Sequence, residues 1–130
     1  MLLLGDLVAL YLFVLGGQLD HELLPGTNPL WYTLTRALPF IAVWLATSWL
    51  LGTYWVPRGS RLFQTLGVSA VHAWAGAAPL GVLLRALLLG RATIPTLFVV
   101  TTLGFGTLFL LAWRLLFALL YQARQRRAAG

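Results

Sequence analysis

The chain has 130 residues, of which 60% are hydrophobic and only 9% are charged. Soluble domains carry about 25% charged residues, so this composition excludes an ordinary water-soluble domain and predicts a protein whose solvent is largely lipid. Cysteine is absent, which excludes disulfide bonds, thiolate metal centres and a cysteine nucleophile. The net charge of +6 comes from arginine alone, and most of these arginines lie at the ends of apolar segments, which is typical of membrane topology and not of nucleic-acid binding.

Four apolar segments are long enough to cross a membrane as helices, which takes about 20 residues. In chain order the predicted spans cover residues 2–19, 37–55, 62–89 and 96–121, with a basic tail at 122–130. The segment between the first two spans contains prolines, a glycine and an asparagine, which are loop signals. The other connections are short, and no period-two alternation indicates strands. The sequence therefore predicts a single all-α domain, a polytopic bundle of four transmembrane helices.

The arginines predict the orientation of this bundle. The connection after the second span and the C-terminal tail share one side of the membrane and carry most of them: Arg58, Arg61, Arg124, Arg126 and Arg127. Because cytoplasmic loops carry the excess of basic residues, we expect both termini in the cytoplasm of a prokaryotic cell with the bundle in its plasma (inner) membrane. No basic residue precedes Leu2 and no small-residue cleavage site follows, so we expect the first segment to be a retained helix.

Three charges lie inside the predicted spans, where each one costs about 2.5–3.5 kcal/mol or more. Asp6 and Arg114 lie at matching depths near the cytoplasmic side, and Arg85 lies near the outer side with Asp20 and Glu22. Helical periodicity puts Asp6 and Asp20 on one stripe of the first helix. The sequence predicts two clamps, Asp6–Arg114 inside and Asp20 or Glu22 with Arg85 outside. They would hold the bundle together; a protonatable Asp6 on an ion path, or snorkelling without a partner, are the alternatives.

The third span carries a stripe of small residues every four positions: Ser69, Ala73, Ala77 and Gly81. Small residues at this spacing let helix backbones approach closely in lipid. The stripe packs either within the chain or against a second copy or another subunit.

Two histidines are possible ligands. His72 lies well inside the third span and could bind a pigment, relay protons or hydrogen-bond a neighbour. His21 lies at the outer end of the first span, so the two histidines do not match in depth as a bis-histidine haem site would require.

No motif for catalysis or for a metal site occurs, and the sequence requires no cofactor. We therefore expect a non-enzymatic membrane protein, an accessory, assembly or interaction subunit. Its expected partners are membrane lipids and either further copies of itself or a larger membrane complex, and not nucleic acid. The alternatives are a small oligomeric ion or solute transporter, and a binder of an apolar cofactor such as a pigment, quinone or lipid.

Several short motifs together resemble one known family. They are the Gly5-Asp6 pair, FVLGG and His21-Glu22 downstream, RALPFIAVW at 36–44, PLGVLLR at 79–85, FVV at 98–100 and Trp113-Arg114. With these motifs in this order, the chain resembles an uncharacterised family of small four-span membrane proteins from bacteria and archaea. The resemblance covers almost the whole chain and implies a four-helix polytopic fold without an established activity. The residues that match are Asp6, His21, Pro39, Phe40, Gly81, Arg85, Trp113 and Arg114.

Overall fold

The computed structural model of the protein describes residues 1–20, 28–90 and 93–130. These residues form four α-helices and, in the described ranges, no strand. The helices are α1 (Leu2–Asp20), α2 (Pro29–Leu50), α3 (Leu62–Leu88) and α4 (Thr96–Ala129). The predicted all-α fold with four helices is thus confirmed.

Two of these helices, α3 and α4, are long and apolar enough to cross a membrane. The described part of α1 that meets the apolar criterion, Leu2–Gln18, is shorter. α2 has 22 residues but contains hydroxyl side chains, Arg36 and Pro39. The composition of the helices therefore supports membrane association through α3 and α4 most directly.

Helix α2, Pro29–Leu50, is shifted towards the N-terminus relative to the second predicted span, residues 37–55. The side chain of Asn28 caps the helix by accepting a hydrogen bond from the Trp31 amide at 3.2 Å, and Pro29 occupies the first turn. Proline suits that position because its missing N–H would have no helical partner there. The Asn-Pro pair, which suggested a loop, is therefore a helix start signal.

The last helix continues through the basic tail. α4 has 34 residues, a length of about 50 Å, which exceeds a hydrocarbon core of about 30 Å. Residues 122–129 are thus helical, and Arg126 and Arg127 lie in the last turn of α4.

Each helix packs against two neighbours in the order α1–α2–α3–α4, and α4 closes the bundle against α1. The core between them is filled by aromatic rings set against alanines. Phe13 of α1 meets Phe40 of α2 and Trp74 of α3 edge to face, with ring centroids 6.1 Å apart in each case. Edge-to-face pairs of this kind add about 0.5–1.5 kcal/mol beyond their burial.

The small-residue stripe of α3 faces mostly into this core. Ala73 and Ala77 are fully buried, and Gly81 is buried against Phe40. A Cβ atom added at Gly81 would lie 2.7 Å from Phe40 Cδ1, so α2 approaches α3 at a distance that only glycine allows. Ser69 is only partly buried, and its hydroxyl donates to the Leu66 carbonyl at 3.2 Å.

Candidate functional site

The candidate site is a buried ion pair between the first and last helices. Arg114 Nη2 donates to Asp6 Oδ2 at 2.6 Å, and Arg114 Nε donates to Asp6 Oδ1 at 3.2 Å. This two-point geometry is the strongest form of the arginine–carboxylate interaction. The Asp6 side chain is 0% exposed and that of Arg114 is 1% exposed. The structure therefore brings together the two charges whose depths match in the sequence.

A turn from a third element completes the coordination of Arg114. Its Nη1 donates to the Thr53 carbonyl at 2.8 Å, and Nη2 lies 3.4 Å from Thr53 Oγ1. The guanidinium thus links α1, α4 and the segment that follows α2. A buried charge is tolerated when it is paired and hydrogen-bonded, and here every nitrogen of the guanidinium has a hydrogen-bond acceptor.

The end of α2 explains why Thr53 is in the right place. Gly52 has a φ of +62°, its amide donates to the Trp49 carbonyl, and the Thr53 amide donates to the Ser48 carbonyl. This is a Schellman motif, in which a left-handed residue, usually glycine, reverses the chain at the helix end. The reversal turns the Thr53 carbonyl towards α4.

Aromatic side chains cover the pair. The rings of Trp44 and Tyr54 each have their centroids 5.8 Å from Arg114 Cζ. The Tyr54 hydroxyl in turn lies 2.6 Å from Ser48 Oγ on α2. Cation–π contacts of this kind are worth up to about 2 kcal/mol when the cation is desolvated.

Gly5 and Trp113, which precede Asp6 and Arg114 in the sequence, also join α1 to α4. The Trp113 ring lies directly over Gly5, in space that a Cβ atom at Gly5 would occupy. Trp113 Nε1 also donates to the Leu2 carbonyl at 3.2 Å. The dipeptides Gly5-Asp6 and Trp113-Arg114 therefore form one contact between α1 and α4. In this contact Asp6 pairs with Arg114, and the Trp113 indole packs on Gly5.

The arrangement supports helix assembly better than chemistry. Both carboxylate oxygens accept from Arg114, and each nitrogen of the guanidinium donates to a protein group. Among the described residues, no group of three histidine or acidic side chains could hold a metal ion.

The second predicted clamp lies largely outside the described residues. Asp20 ends α1, but its side chain, Glu22 and His21 are not among those the structure describes. Arg85 is described, and its guanidinium carbon lies 4.8 Å from the centroid of the Phe98 ring on α4. The pairing of Arg85 with Asp20 or Glu22 stays a prediction.

His72 lies away from the ion pair. Its side chain is exposed on the outer surface of α3, whereas Arg114 and Asp6 are enclosed by the bundle. The structure does not bring His72 and the paired charges into one site.

The sequence did not indicate the groups that complete the site, namely Thr53, Trp44 and Tyr54. The Leu-Gly-Thr sequence after α2 carries a helix-termination signal, which could have placed a carbonyl at this end of the bundle. No signal in a single sequence predicts that this carbonyl binds Arg114.

The fold and the site together define an all-α four-helix bundle whose first and last helices are joined by a buried arginine–carboxylate pair. The chain belongs to the family described as a protein of unknown function, DUF3054, which it matches over residues 3–117. This confirms the family resemblance seen in the sequence motifs. The matched range includes both Asp6 and Arg114. Comparisons with curated proteins and with solved structures returned no match.

Proposed function

We propose that the protein is a non-enzymatic, multi-pass membrane protein that works as an accessory, assembly or interaction subunit. All four helices would cross the prokaryotic plasma membrane, with both termini in the cytoplasm. Its partners would be lipids and other membrane proteins, and the buried charges would hold the bundle together.

The closed Asp6–Arg114 pair carries this proposal. A carboxylate that transports ions must exchange with water, but both Asp6 oxygens are bonded to Arg114 inside the bundle. A catalytic group must reach a substrate, and neither side chain is more than 1% exposed. The pair is therefore suited to fixing α1 against α4 in a medium where each unpaired charge is costly.

The outer surface of the bundle supports the membrane environment. Soluble proteins rarely expose apolar patches larger than a few hundred Å². Here α4 alone exposes large apolar side chains over most of its length: Leu97, Val100, Phe105, Leu108, Leu115, Leu116, Leu119 and Leu120. A lipid environment accounts for such a surface.

Cysteine accessibility tests the topology, since the natural chain has no cysteine that would need removal. Single cysteines at Ser60 and Gly130 should react with a membrane-impermeant maleimide only after the inner membrane is opened. Cysteines at Asn28 and Thr93 should react in intact spheroplasts, and Leu116→Cys should stay unreactive in both. Labelling of Asn28→Cys and Ser60→Cys on the same side would refute the four-span arrangement.

Purification in a mild detergent tests the functional class. We expect a tagged chain to retain a defined membrane partner or further copies of itself at a constant ratio. Proton or ion flux in liposomes that is lost in Asp6→Asn and kept in Leu116→Ala would favour a transporter instead. Visible absorbance of the purified protein would favour the binding of a pigment or quinone.

A further inference from the structure

A polar stripe runs along α3 on the side opposite the packed core. Arg61, Val68 and His72 are exposed and fall within about 40° of one another around the helix axis. An open groove of about 710 Å³ follows this stripe. We define the α3 outer face as the groove residues of α3 and of its N-cap, together with the two exposed small residues of the next turn: Arg61, Gln64, Thr65, Val68, Ser69, His72, Ala75 and Gly76.

The depth of His72 makes this face unusual, provided that the proposed membrane insertion holds. His72 lies about 15 Å along the axis from Leu62, near the middle of a hydrocarbon core of about 30 Å. Histidines inside membrane spans almost always face the bundle interior or a water-filled cavity. Within the described part of the chain, the His72 side chain faces outwards and forms no hydrogen bond.

The outer surface of α4 does not share this character. The exposed positions of α4 at the same depths are leucine, phenylalanine, alanine and glycine, which lipid chains solvate well. The α3 outer face instead presents hydrogen-bonding side chains at successive turns, so lipid is a poor solvent for it. A protein surface with matching polar groups would satisfy it better.

We infer that the α3 outer face is the interface with a second copy of this chain. The Gln64 amide has donor and acceptor atoms, and the two ring nitrogens of the His72 imidazole can serve as donor and acceptor, so each side chain can pair with its own counterpart. A parallel, two-fold arrangement of two α3 helices places identical residues opposite each other near the axis. Between Arg61 and Arg85 the face carries no formal charge that would oppose this pairing.

The steric profile of the face fits the same arrangement. A Cβ atom added at Gly76 would meet nothing within 4 Å, so the space beside it is free for a neighbouring helix. Ala75 and Gly76 would let two backbones approach closely, and interhelical hydrogen bonds from His72 would then be within reach. Arg61 lies at the rim near water, where salt screens repulsion between the two copies.

Disulfide cross-linking in native membranes tests this interface. Val68→Cys and Gly76→Cys should each give an oxidised species of twice the chain mass that contains only this chain. Phe105→Cys and Leu116→Cys, which are exposed on α4, should give none. Cross-links from α3 to a different protein, or equal cross-linking from α4, would overturn the inference.

A dilution series in liposomes, followed by energy transfer between labelled chains, measures the strength of the dimer. His72→Ala should weaken dimerisation by about 3- to 30-fold, the range expected for one interhelical hydrogen bond. His72→Gln, which keeps a donor and an acceptor, should restore much of it, and Gly76→Phe should abolish it. Because His72 and Gly76 are outside the core, all three variants should fold, which helical circular dichroism would verify.

The outcomes separate this inference from the proposed function. A chain that inserts with the expected topology but stays monomeric at every density overturns only the dimer. A chain that is not membrane-inserted overturns the proposed function and the dimer together.

Discussion

Arg114 on α4 holds both carboxylate oxygens of Asp6 on α1, across a sequence separation of 108 residues. The pair joins the first and last helices, while the Thr53 carbonyl ties the same guanidinium to the end of α2. One arginine thus fixes three parts of the chain at the same end of the bundle.

Removal of one member of the pair should be far more destabilising than removal of both. Asp6→Leu leaves a buried guanidinium and Arg114→Met leaves a buried carboxylate, so each should lower the free energy of unfolding by about 3–5 kcal/mol. The double variant should lose less stability than either single variant, since no unpaired charge remains. Unfolding by SDS titration in detergent micelles measures all three variants.

Leu116→Ala provides the control, because Leu116 is exposed on α4 near Arg114 and should change unfolding little. Strict additivity of Asp6→Leu and Arg114→Met would show that the pair does not couple the helices.

Replacement of the guanidinium by an ammonium group should not preserve the site. Arg114→Lys keeps the charge but cannot bond two carboxylate oxygens and the Thr53 carbonyl with one planar group. We expect Arg114→Lys to be destabilised by about 2–3 kcal/mol, consistent with the loss of a charged hydrogen bond. Thr53→Ala should cost less than about 1 kcal/mol, since the shorter of the two Thr53 contacts uses the main-chain oxygen.

The same SDS titration distinguishes these variants. Equal stability of Arg114→Lys and the natural protein would mean that charge alone, without the geometry of the guanidinium, holds α1 to α4.

The sequence was informative about this site because charged residues are rare within long apolar segments. Asp6 and Arg114 are the charges nearest the predicted cytoplasmic ends of their apolar segments, so their matching predicted depth suggested the pair. Thr53 and Trp44 could not be predicted, because neither depth nor periodicity specifies which carbonyl or ring approaches a given arginine. The start of α2 ahead of the predicted second span could not be anticipated, because an Asn-Pro pair such as Asn28-Pro29 occurs both in turns and at helix N-termini.

The contact between Gly5 and Trp113 predicts a large effect from a single methyl group. Gly5→Ala would place Cβ inside the indole ring, so the helices must separate or the ring must move. Overpacking of this kind costs about 1–3 kcal/mol. Gly17→Ala on the same helix meets nothing within 4 Å and should stabilise α1 by about 0.5–1 kcal/mol through helix propensity.

These two glycine variants form a matched pair, because they make the same change in the same helix. The thermal midpoint in micelles should fall for Gly5→Ala and rise or stay level for Gly17→Ala. A fall of similar size for both would point to a general intolerance of α1 and not to contact with Trp113.

The predicted outer clamp can be tested by a double-mutant cycle on Arg85. Arg85→Gln with Glu22→Gln, and Arg85→Gln with Asp20→Asn, should reveal which carboxylate couples to the guanidinium. We expect a coupling energy of about 0.5–3 kcal/mol in one cycle and additivity in the other. Additive effects in both cycles would refute the clamp.

The left-handed turn at Gly52 predicts a link between a helix terminus and the buried pair. Gly52→Val forces a β-branched residue into a φ of +62°, which costs at least about 1–2 kcal/mol and displaces the Thr53 carbonyl from Arg114. Gly52→Asn should be milder, because asparagine tolerates this conformation. In an Arg114→Met background the penalty of Gly52→Val should shrink, since the Thr53 carbonyl then has no guanidinium to lose. An unchanged penalty in that background would show that the turn and the ion pair contribute to stability independently.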